Sequence, residues 1–575
     1  MLLLADAGAT EYVITLAREA SASENHAANE LSRVLGEIAG AEFKIVLPDE
    51  AGDAPRLAVG PDAATEAGVP PEALEGLGDE GILIQTVGAH LALTGSEGAP
   101  RGTLYAVHTF LEDTLGCRWW SSKVSHIPKR TRVEIDEINE TFVPILEYRE
   151  SFWYDAYDGD WAARNKSNGN SVRTDEARGG HHTYKGFVHT FFPLVPPDDH
   201  FDAHPEWYSE IDGERKHDHA QLCLTNEELL ALTIGKVEEW LRESPEATII
   251  SVSQNDWHGA CTCETCAAVD EEEGGHAGTM LRFVNAVAEA IEDEFPHVAV
   301  STLAYQYTRK PPKLVKPRPN VIVRLCSIEC NFAEPLTHDS NRAFRDDIVG
   351  WSKICNRVYI WDYTTDFRHY VQPHPNYYVL GDNIRFFVEH GVKGVFEQGA
   401  YQSYGSEMAE MRAWVLAKLM WDPYQDDHAL IQEFLTGYFG HAAGHIDAHL
   451  QAVHASAKAA DKPIGCFSGH DADFLTPDLL LESMRNLDAA SQAVSGSEEL
   501  SGRVAVAKLP VWYVALLRWD EVRARASDTG QAWLMADDRG DAFEAFAAVY
   551  EANEMTHLAE HGKGIEGLRA ECVDD

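Results

Sequence analysis

The sequence predicts an α/β protein, a (β/α)8-type TIM barrel preceded by a small α/β domain and followed by an α-helical domain. Three observations predict it. Apolar runs of strand length alternate with helical segments between about residues 141 and 425. Many of those runs end in polar and aromatic side chains, as barrel strands do where their carboxyl ends open into a shared crevice. After Asp422-Pro423 the strand pattern stops and helical periodicity takes over. The expected domains are therefore 1–140, 141–425 and 426–575.

Residues 1 to 140 alternate strand and helix. Glu11–Ala17 reads as a strand. Ser23–Ile38 is an amphipathic helix with Ala27, Leu31, Val34, Leu35 and Ile38 on one face, and Gly40 lies where a C-cap glycine belongs. Strands follow at Phe43–Leu47, Arg56–Val59, Gly81–Thr86 and His90–Thr94, then a helix from Arg101 that Gly116 closes.

The barrel strands are expected at Ile145–Ser151, Gly186–Phe192, Gln221–Leu224, 247–254, Val298–Tyr305, Val321–Cys326, Arg357–Trp361 and Lys393–Glu397, with the eighth the least well marked. Thr225 is expected to cap a helix over Glu227–Glu243, and another helix runs from Gly278 to Glu294. Helices are expected beyond the barrel at His428–Tyr438, Ile446–Ala460, Asp478–Val494, Gly502–Ala526 with a kink at Pro510, and Ala532–His557. Leu509, Trp512, Tyr513, Leu516 and Trp519 form a stripe that reads as core.

Composition excludes several roles. Lys and Arg number 47 against 93 Asp and Glu, a net charge of −46. A chain so acidic lacks the basic footprint of a nucleic-acid binder and is repelled by anionic lipid. Met1-Leu-Leu-Leu-Ala has no basic n-region, and no stretch of about 20 apolar residues stands out, so a soluble cytoplasmic chain is expected, secreted only if a leader has been trimmed. The oligomeric state is not legible.

The strand ends collect the chemistry. Trp153, His189, Asn255, Asp256, Tyr305, Glu329, Trp361, Asp362, Glu397 and Gln398 all fall there. Aromatic planes beside carboxylates and amides suit a carbohydrate: rings stack on the apolar faces of a sugar, and its hydroxyls need acceptors. Hydrolysing a glycosidic bond takes a carboxylic acid to protonate the departing oxygen and a second group on the other side. Asp256, Glu397 and Glu329 are the catalytic candidates. Glu397 ends an apolar strand, a setting that raises a carboxyl toward acid duty. Asn255 and Asp256 together can hold and polarise a 2-acetamido group, so that the substrate's own amide oxygen attacks. Asn255, His189, Trp361, Asp362, Tyr305, Trp153 and Gln398 are the expected sugar-binding residues. The plainer readings are that Asn255 and Asp256 only hold a loop and that Glu329 pairs with Arg324.

Cys261, Cys263 and Cys266 lie within six residues, and Cys223 ends a neighbouring run. The four match a structural zinc site, while disulfides or free thiols stay open as alternatives. In each case the cluster pins the loop that carries Asp256; no cofactor is required for catalysis. Cys326 and Cys330 read as buried thiols that are close enough in sequence to pair.

The stretch from Arg101 to Trp119 resembles the end of the accessory domain that precedes the barrel in α-glucuronidases and β-N-acetylhexosaminidases. Farther on, His189-Thr-Phe, His204-Pro-Glu-Trp-Tyr, Gln221-Leu-Cys-Leu-Thr-Asn, Ser253-Gln-Asn-Asp with C-x-C-x-x-C, Trp361-Asp-Tyr with Pro373-x-Pro375, and Gly394-Val-Phe-Glu-Gln-Gly occur in order. Over residues 100 to 425 the chain thereby resembles domain-of-unknown-function family 4838, classed among glycosidases as glycoside hydrolase family 163. That resemblance implies a retaining endo-β-N-acetylglucosaminidase acting on the chitobiose core of complex N-glycans. The expectation is a hydrolase of a β-linked N-acetylglucosamine or related sugar. The alternatives are a non-catalytic carbohydrate-binding protein on the same scaffold, or an α-glucuronidase-like hydrolase.

Overall fold

The computed structural model of the protein describes residues 1–562 and 564–573. At its centre is one sheet of seven parallel strands: Tyr148–Phe152, Tyr184–Lys185, Ile249–Ser251, Ala299–Ala304, Val321–Cys326, Val358–Tyr363 and Gly394–Gln398, referred to below as the first to seventh barrel strands. Their spatial order is first, seventh, sixth, fifth, fourth, third, second, so the sheet curls round until its two edges approach. The edges are joined without a ladder. The Asn168 amide donates to the Arg149 carbonyl at 3.1 Å, His182 donates to the Asn168 carbonyl at 2.9 Å, and the Tyr184 amide donates to Asn170 Oδ1 at 2.8 Å. The core is thus a TIM-like parallel barrel with one irregular seam.

The alternation of side chains along each strand sets what faces the lumen. Tyr148, Tyr184, Ile249, Ala299, Ile322, Tyr359 and Phe396 form one small inner cluster, against which Phe152, Phe187 and Trp361 pack. Their neighbours in sequence, such as Val323, Ile360 and Val395, belong to the large core between the barrel and the surrounding helices.

Two expected strands are not barrel strands. Over Gly186–Phe192 the chain leaves the sheet after Lys185, because Gly186 (φ 63°) and His189 (φ 56°) take left-handed backbone, and Phe191–Leu194 is a helical turn. Gln221–Leu224 contributes only an isolated bridge between Leu222 and Tyr208. The helix Glu227–Glu243 is capped by Asn226, whose side chain accepts from the Leu229 amide, and not by Thr225.

The N-terminal region is a six-stranded mixed sheet with the helix Ala22–Ala39 packed on it. Ser21 and Glu24 close a capping box at the start of that helix, and Gly40 (φ 67°) ends it. Glu80 holds this region to the barrel by buried ion pairs to Arg101 and to Arg149 of the first strand, both 2.6 Å.

Beyond the barrel the described residues form helices at Asp427–Phe439, Ala443–Ala460, Pro477–Ala493, Glu498–Leu517, Trp519–Thr529, Arg539–Ala552 and Ile565–Cys572. The expected long helix breaks at Arg518, not at Pro510, which stays inside Glu498–Leu517. That 20-residue helix is long and apolar enough by composition to cross a membrane, contrary to the reading from sequence, but half of it is buried in the helical core. The last expected helix also ends early. It stops at Ala552, and residues 553–562 turn back to the mouth of the barrel.

Candidate active site

A hollow of about 390 Å³ opens at the carboxyl ends of the barrel strands. Phe152, Phe187, Trp361, Tyr363, Phe396 and Tyr401 give it aromatic walls. The Phe152 and Tyr401 rings stack at 4.9 Å, and Trp361 meets Phe396 at 4.6 Å. Below them the fully buried Arg324 guanidinium lies within 5.0 to 6.0 Å of six ring centres and donates to the Tyr184 hydroxyl at 2.6 Å. This cation seals the floor of the hollow.

Of the expected residues, Asp256, His189, Tyr305, Trp361 and Gln398 meet in this hollow. Asp256 follows the third strand, and its side chain is 61% exposed, free to meet a ligand. The loop that carries it is fixed from both sides. Asn255 Nδ2 donates to the Ala220 carbonyl at 3.1 Å, and Asn255 Oδ1 accepts from the Phe192 amide at 3.2 Å. Gln221 bridges the Asn255 amide, at 2.9 Å, and the Trp257 carbonyl, at 2.6 Å. Gln254 reaches the other way, to the Tyr305 carbonyl and the Thr308 hydroxyl.

His189 faces the carboxylate. Its Nδ1 lies 2.8 Å from the Gln254 carbonyl, a contact that requires the proton on Nδ1, and its Nε2 lies 3.9 Å from Asp256 Oδ1. Left-handed backbone at His189 makes this aim attainable. Burial, and then the negative charge of Asp256, push the Tyr305 phenol well above its ordinary range.

The other expected residues are elsewhere. Glu397 and Asp362 are cross-strand partners on the seventh and sixth strands, and both point out of the barrel. Phe396, Gln398, Trp361 and Tyr363 are the inward members of those strands. Alternation by single residues therefore removes Glu397 and Asp362 from the hollow. Glu397 is 1% exposed and its Oε2 has no hydrogen-bond partner among the described residues; Asp362 accepts from the Ser327 hydroxyl. Burial, and then the charge of Asp362, push the Glu397 carboxyl far above the usual carboxylate range.

Glu329 is half exposed outside the hollow and pairs with Arg309 instead of Arg324. Asn255 is spent on the loop, as its plainer reading had it. Trp153 is fully buried behind the seventh strand, so close to Gly399 that any side chain there would strike the indole.

The hollow also takes residues that sequence reasoning missed. Phe467, Glu560 and His561 come from the C-terminal region and line its rim. Glu560 Oε1 accepts from Gln398 Nε2 at 3.4 Å and from the Tyr401 hydroxyl at 3.3 Å. Gln398 is itself oriented by Trp361, whose Nε1 donates to its Oε1 at 2.7 Å. Burial chiefly raises the Glu560 carboxyl above its ordinary range, with Asp256 adding to the rise. No local pattern marks Glu560, since only the tertiary fold returns its loop to the barrel.

Next to the hollow, Cys223, Cys261, Cys263 and Cys266 converge, all buried, with their sulfurs within 4.8 Å of one another. Cys223 Sγ lies 3.7 Å from Cys263 Sγ and 3.8 Å from Cys266 Sγ. Those separations are too long for a disulfide but are the edges of a tetrahedron whose centre sits about 2.3 Å from each sulfur, the Zn–S bond length. Arg215 Nη1 lies 3.7 Å from Cys261 Sγ, where it would offset the charge of thiolates holding a metal. The cluster can hold a structural metal such as zinc. Cys326 and Cys330 are not bonded to each other.

The sequence profile of the family described as Domain of unknown function (DUF4838) matches residues 119–451, more than half of the chain. No curated protein matches by sequence. Among solved structures, a family GH115 4-O-methyl-α-glucuronidase, BtGH115A, with specificity for decorated arabinogalactans, aligns with a TM-score of 0.59 at 12% identity, over 96% of this chain and 77% of its own. The family 89 glycoside hydrolase from Clostridium perfringens, in complex with 2-acetamido-1,2-dideoxynojirimycin, aligns with a TM-score of 0.51 at 9% identity, over 92% of this chain and 65% of its own. At such identities the likeness is one of fold, a fold that glycoside hydrolases share.

Proposed function

The chain belongs to the DUF4838 family, and we propose that it is a glycoside hydrolase acting on a β-linked N-acetylglucosamine. One observation carries this reading: the Asp256 carboxylate, on a loop fixed through Asn255 and Gln221 after the third strand, is open to an aromatic hollow of sugar size. Trp361 and its neighbouring rings stack on the sugar. Asp256 accepts the N–H of a 2-acetamido group and turns its carbonyl oxygen toward C1, the substrate-assisted route.

The lining argues against a uronic acid. Among the described residues that line the hollow none is Lys or Arg, Arg324 is sealed beneath the aromatic floor, and the Asp256 carboxylate would repel an anionic sugar. The GH115 neighbour is a 4-O-methyl-α-glucuronidase, and the family 89 neighbour holds a 2-acetamido sugar mimic; a lining with the Asp256 carboxylate and no Lys or Arg favours the second chemistry. Zinc bound by Cys223, Cys261, Cys263 and Cys266 would brace the loop that presents Asp256 and would take no part in the reaction.

A panel of 4-nitrophenyl glycosides together with N-glycans bearing a chitobiose core tests this reading. Turnover of the β-N-acetylglucosaminide or of the chitobiose linkage is expected. Turnover confined to glucuronides would overturn the substrate class, and sugar binding without turnover of any substrate would make the protein a carbohydrate-binding module.

A further inference from the structure

We propose that Glu560 is the general acid of this site, supplied by a C-terminal loop that lies beyond the residues matching the family. The inference rests on the hydrolase reading above and assigns the role that the outward-facing Glu397 cannot fill.

The loop is built into the barrel mouth. The Glu560 amide donates to the Phe367 carbonyl at 2.8 Å, Tyr370 donates to the Leu558 carbonyl at 2.9 Å, and the Thr556 amide donates to Ser403 Oγ at 2.8 Å. The Glu560 side chain is 15% exposed, and Gln398 and Tyr401 both donate to Oε1. Among the described residues, His561 Nε2 lies nearest Oε2 in an ion-pair geometry, at 3.8 Å. Oε1 is thus tied to the barrel wall, and the Glu560 side chain lines the hollow.

The topology sets Glu560 opposite Asp256. Gln398 and Tyr401, which hold Glu560, end the seventh strand and follow it, whereas Asp256 follows the third. The fourth, fifth and sixth strands lie between them on one side of the ring, and the first and second on the other. Two carboxyls on facing walls are what a glycosidase places on either side of the bond it cuts. Burial keeps the Glu560 proton bound at higher pH than an exposed glutamate would hold it, which suits an acid.

In the step, the Glu560 O–H bond breaks as its proton joins the glycosidic oxygen. The C1–O bond breaks with its electron pair going to that oxygen, and the 2-acetamido carbonyl oxygen bonds to C1. Water then adds its oxygen to C1, the electron pair of the bond between C1 and the acetamido oxygen returns to the amide, and the released water proton reprotonates Glu560.

The test is a leaving-group series on wild type, Glu560→Gln and Asp256→Asn. A sugar leaving group needs protonation, and a 2,4-dinitrophenolate does not. Glu560→Gln should lower kcat/KM for the chitobiose linkage by about 10²–10⁴-fold, yet lower that of 2,4-dinitrophenyl N-acetyl-β-glucosaminide less than about tenfold, because that leaving group gains little from an acid. Asp256→Asn should depress both. Should the glutamine variant fold poorly, the wild-type profile decides: kcat/KM for the chitobiose linkage must fall on the alkaline side as an acid deprotonates. Equal losses on every leaving group, no loss, or no alkaline limb would overturn the assignment while leaving the hydrolase reading intact if Asp256→Asn is inactive. Wild type inert on all these glycosides would overturn both.

Discussion

Glu397→Gln separates the barrel's inner face from its outer one. Glu397 and Asp362 are paired across adjacent strands, outside the hollow. At the roughly 4.8 Å spacing of neighbouring strands, two ionised carboxylates repel by about 3–4 kcal/mol at an effective dielectric of 20. Folding avoids that repulsion by keeping a proton on the pair. Burial first, and then this repulsion, raise Glu397 in the fold above its unfolded value of about 4.3. Its contribution to stability is whole below that value and is lost as pH climbs through the raised folded value.

Glutamine is neutral at every pH and close in shape. Relative to wild type, Glu397→Gln should be near neutral at pH 4.5 and more stable by about 2–3 kcal/mol at pH 9. For a unit of 150–250 residues, that is about 2–4 °C in Tm per kcal/mol. Differential scanning fluorimetry between pH 4.5 and 9, with glycoside kinetics on the same samples, reads both quantities. Turnover should stay within about threefold of wild type, as expected for a residue that touches no substrate. A well-folded Glu397→Gln protein that has lost a hundredfold in kcat would refute the assignment of faces and return Glu397 to the chemistry.

Three further outcomes follow from the same structure. The purified protein should carry about one zinc per chain, and a strong chelator or Cys223→Ser should lower Tm by at least about 5 °C, since structural zinc is bound with folding free energy; four titratable thiols and no metal would remove the site. Trp361→Ala removes a stacking face and the donor that orients Gln398, so KM should rise about tenfold, or about 1.4 kcal/mol; an unchanged KM would take Trp361 out of the binding surface. Asn255→Ala should act through the loop, because its side chain bonds to Ala220 and Phe192. It should cost about 1–3 kcal/mol of stability for the partners left unpaired, and a full loss of activity at unchanged Tm would contradict that role.

Much of the fold was legible because the barrel strands are apolar and bounded by polar groups. Val321–Cys326, for example, has the same limits in sequence and in structure. The expected strand at Gly186 was not there, because a β-rich composition does not reveal that Gly186 and His189 take left-handed backbone. Of the residues expected at strand ends, Asp256, His189, Tyr305, Trp361 and Gln398 line the hollow.

Glu397 lies outside the hollow for a reason present in the sequence itself. A lumen that takes Phe396 and Gln398 must turn Glu397 outward, and one residue of parity decides between acid and outer-layer carboxyl. Glu560 was out of reach for another reason. It lies more than 300 residues from Asp256 in a stretch expected to be helical as far as His557 and unassigned beyond, and only packing brings it to the mouth. The cysteines fell between these cases: the C-x-C-x-x-C spacing marked three of them and Cys223 was expected beside them from its neighbouring run, and the fold brings all four sulfurs within 4.8 Å.

The most direct measurement is kcat of Asp256→Asn beside wild type on 4-nitrophenyl N-acetyl-β-glucosaminide, with Tm recorded for both. A loss of at least about a hundredfold at unchanged Tm is predicted, the scale of one missing group that acts in the transition state. Equal turnover by the two proteins would contradict the claim that this hollow performs the hydrolysis.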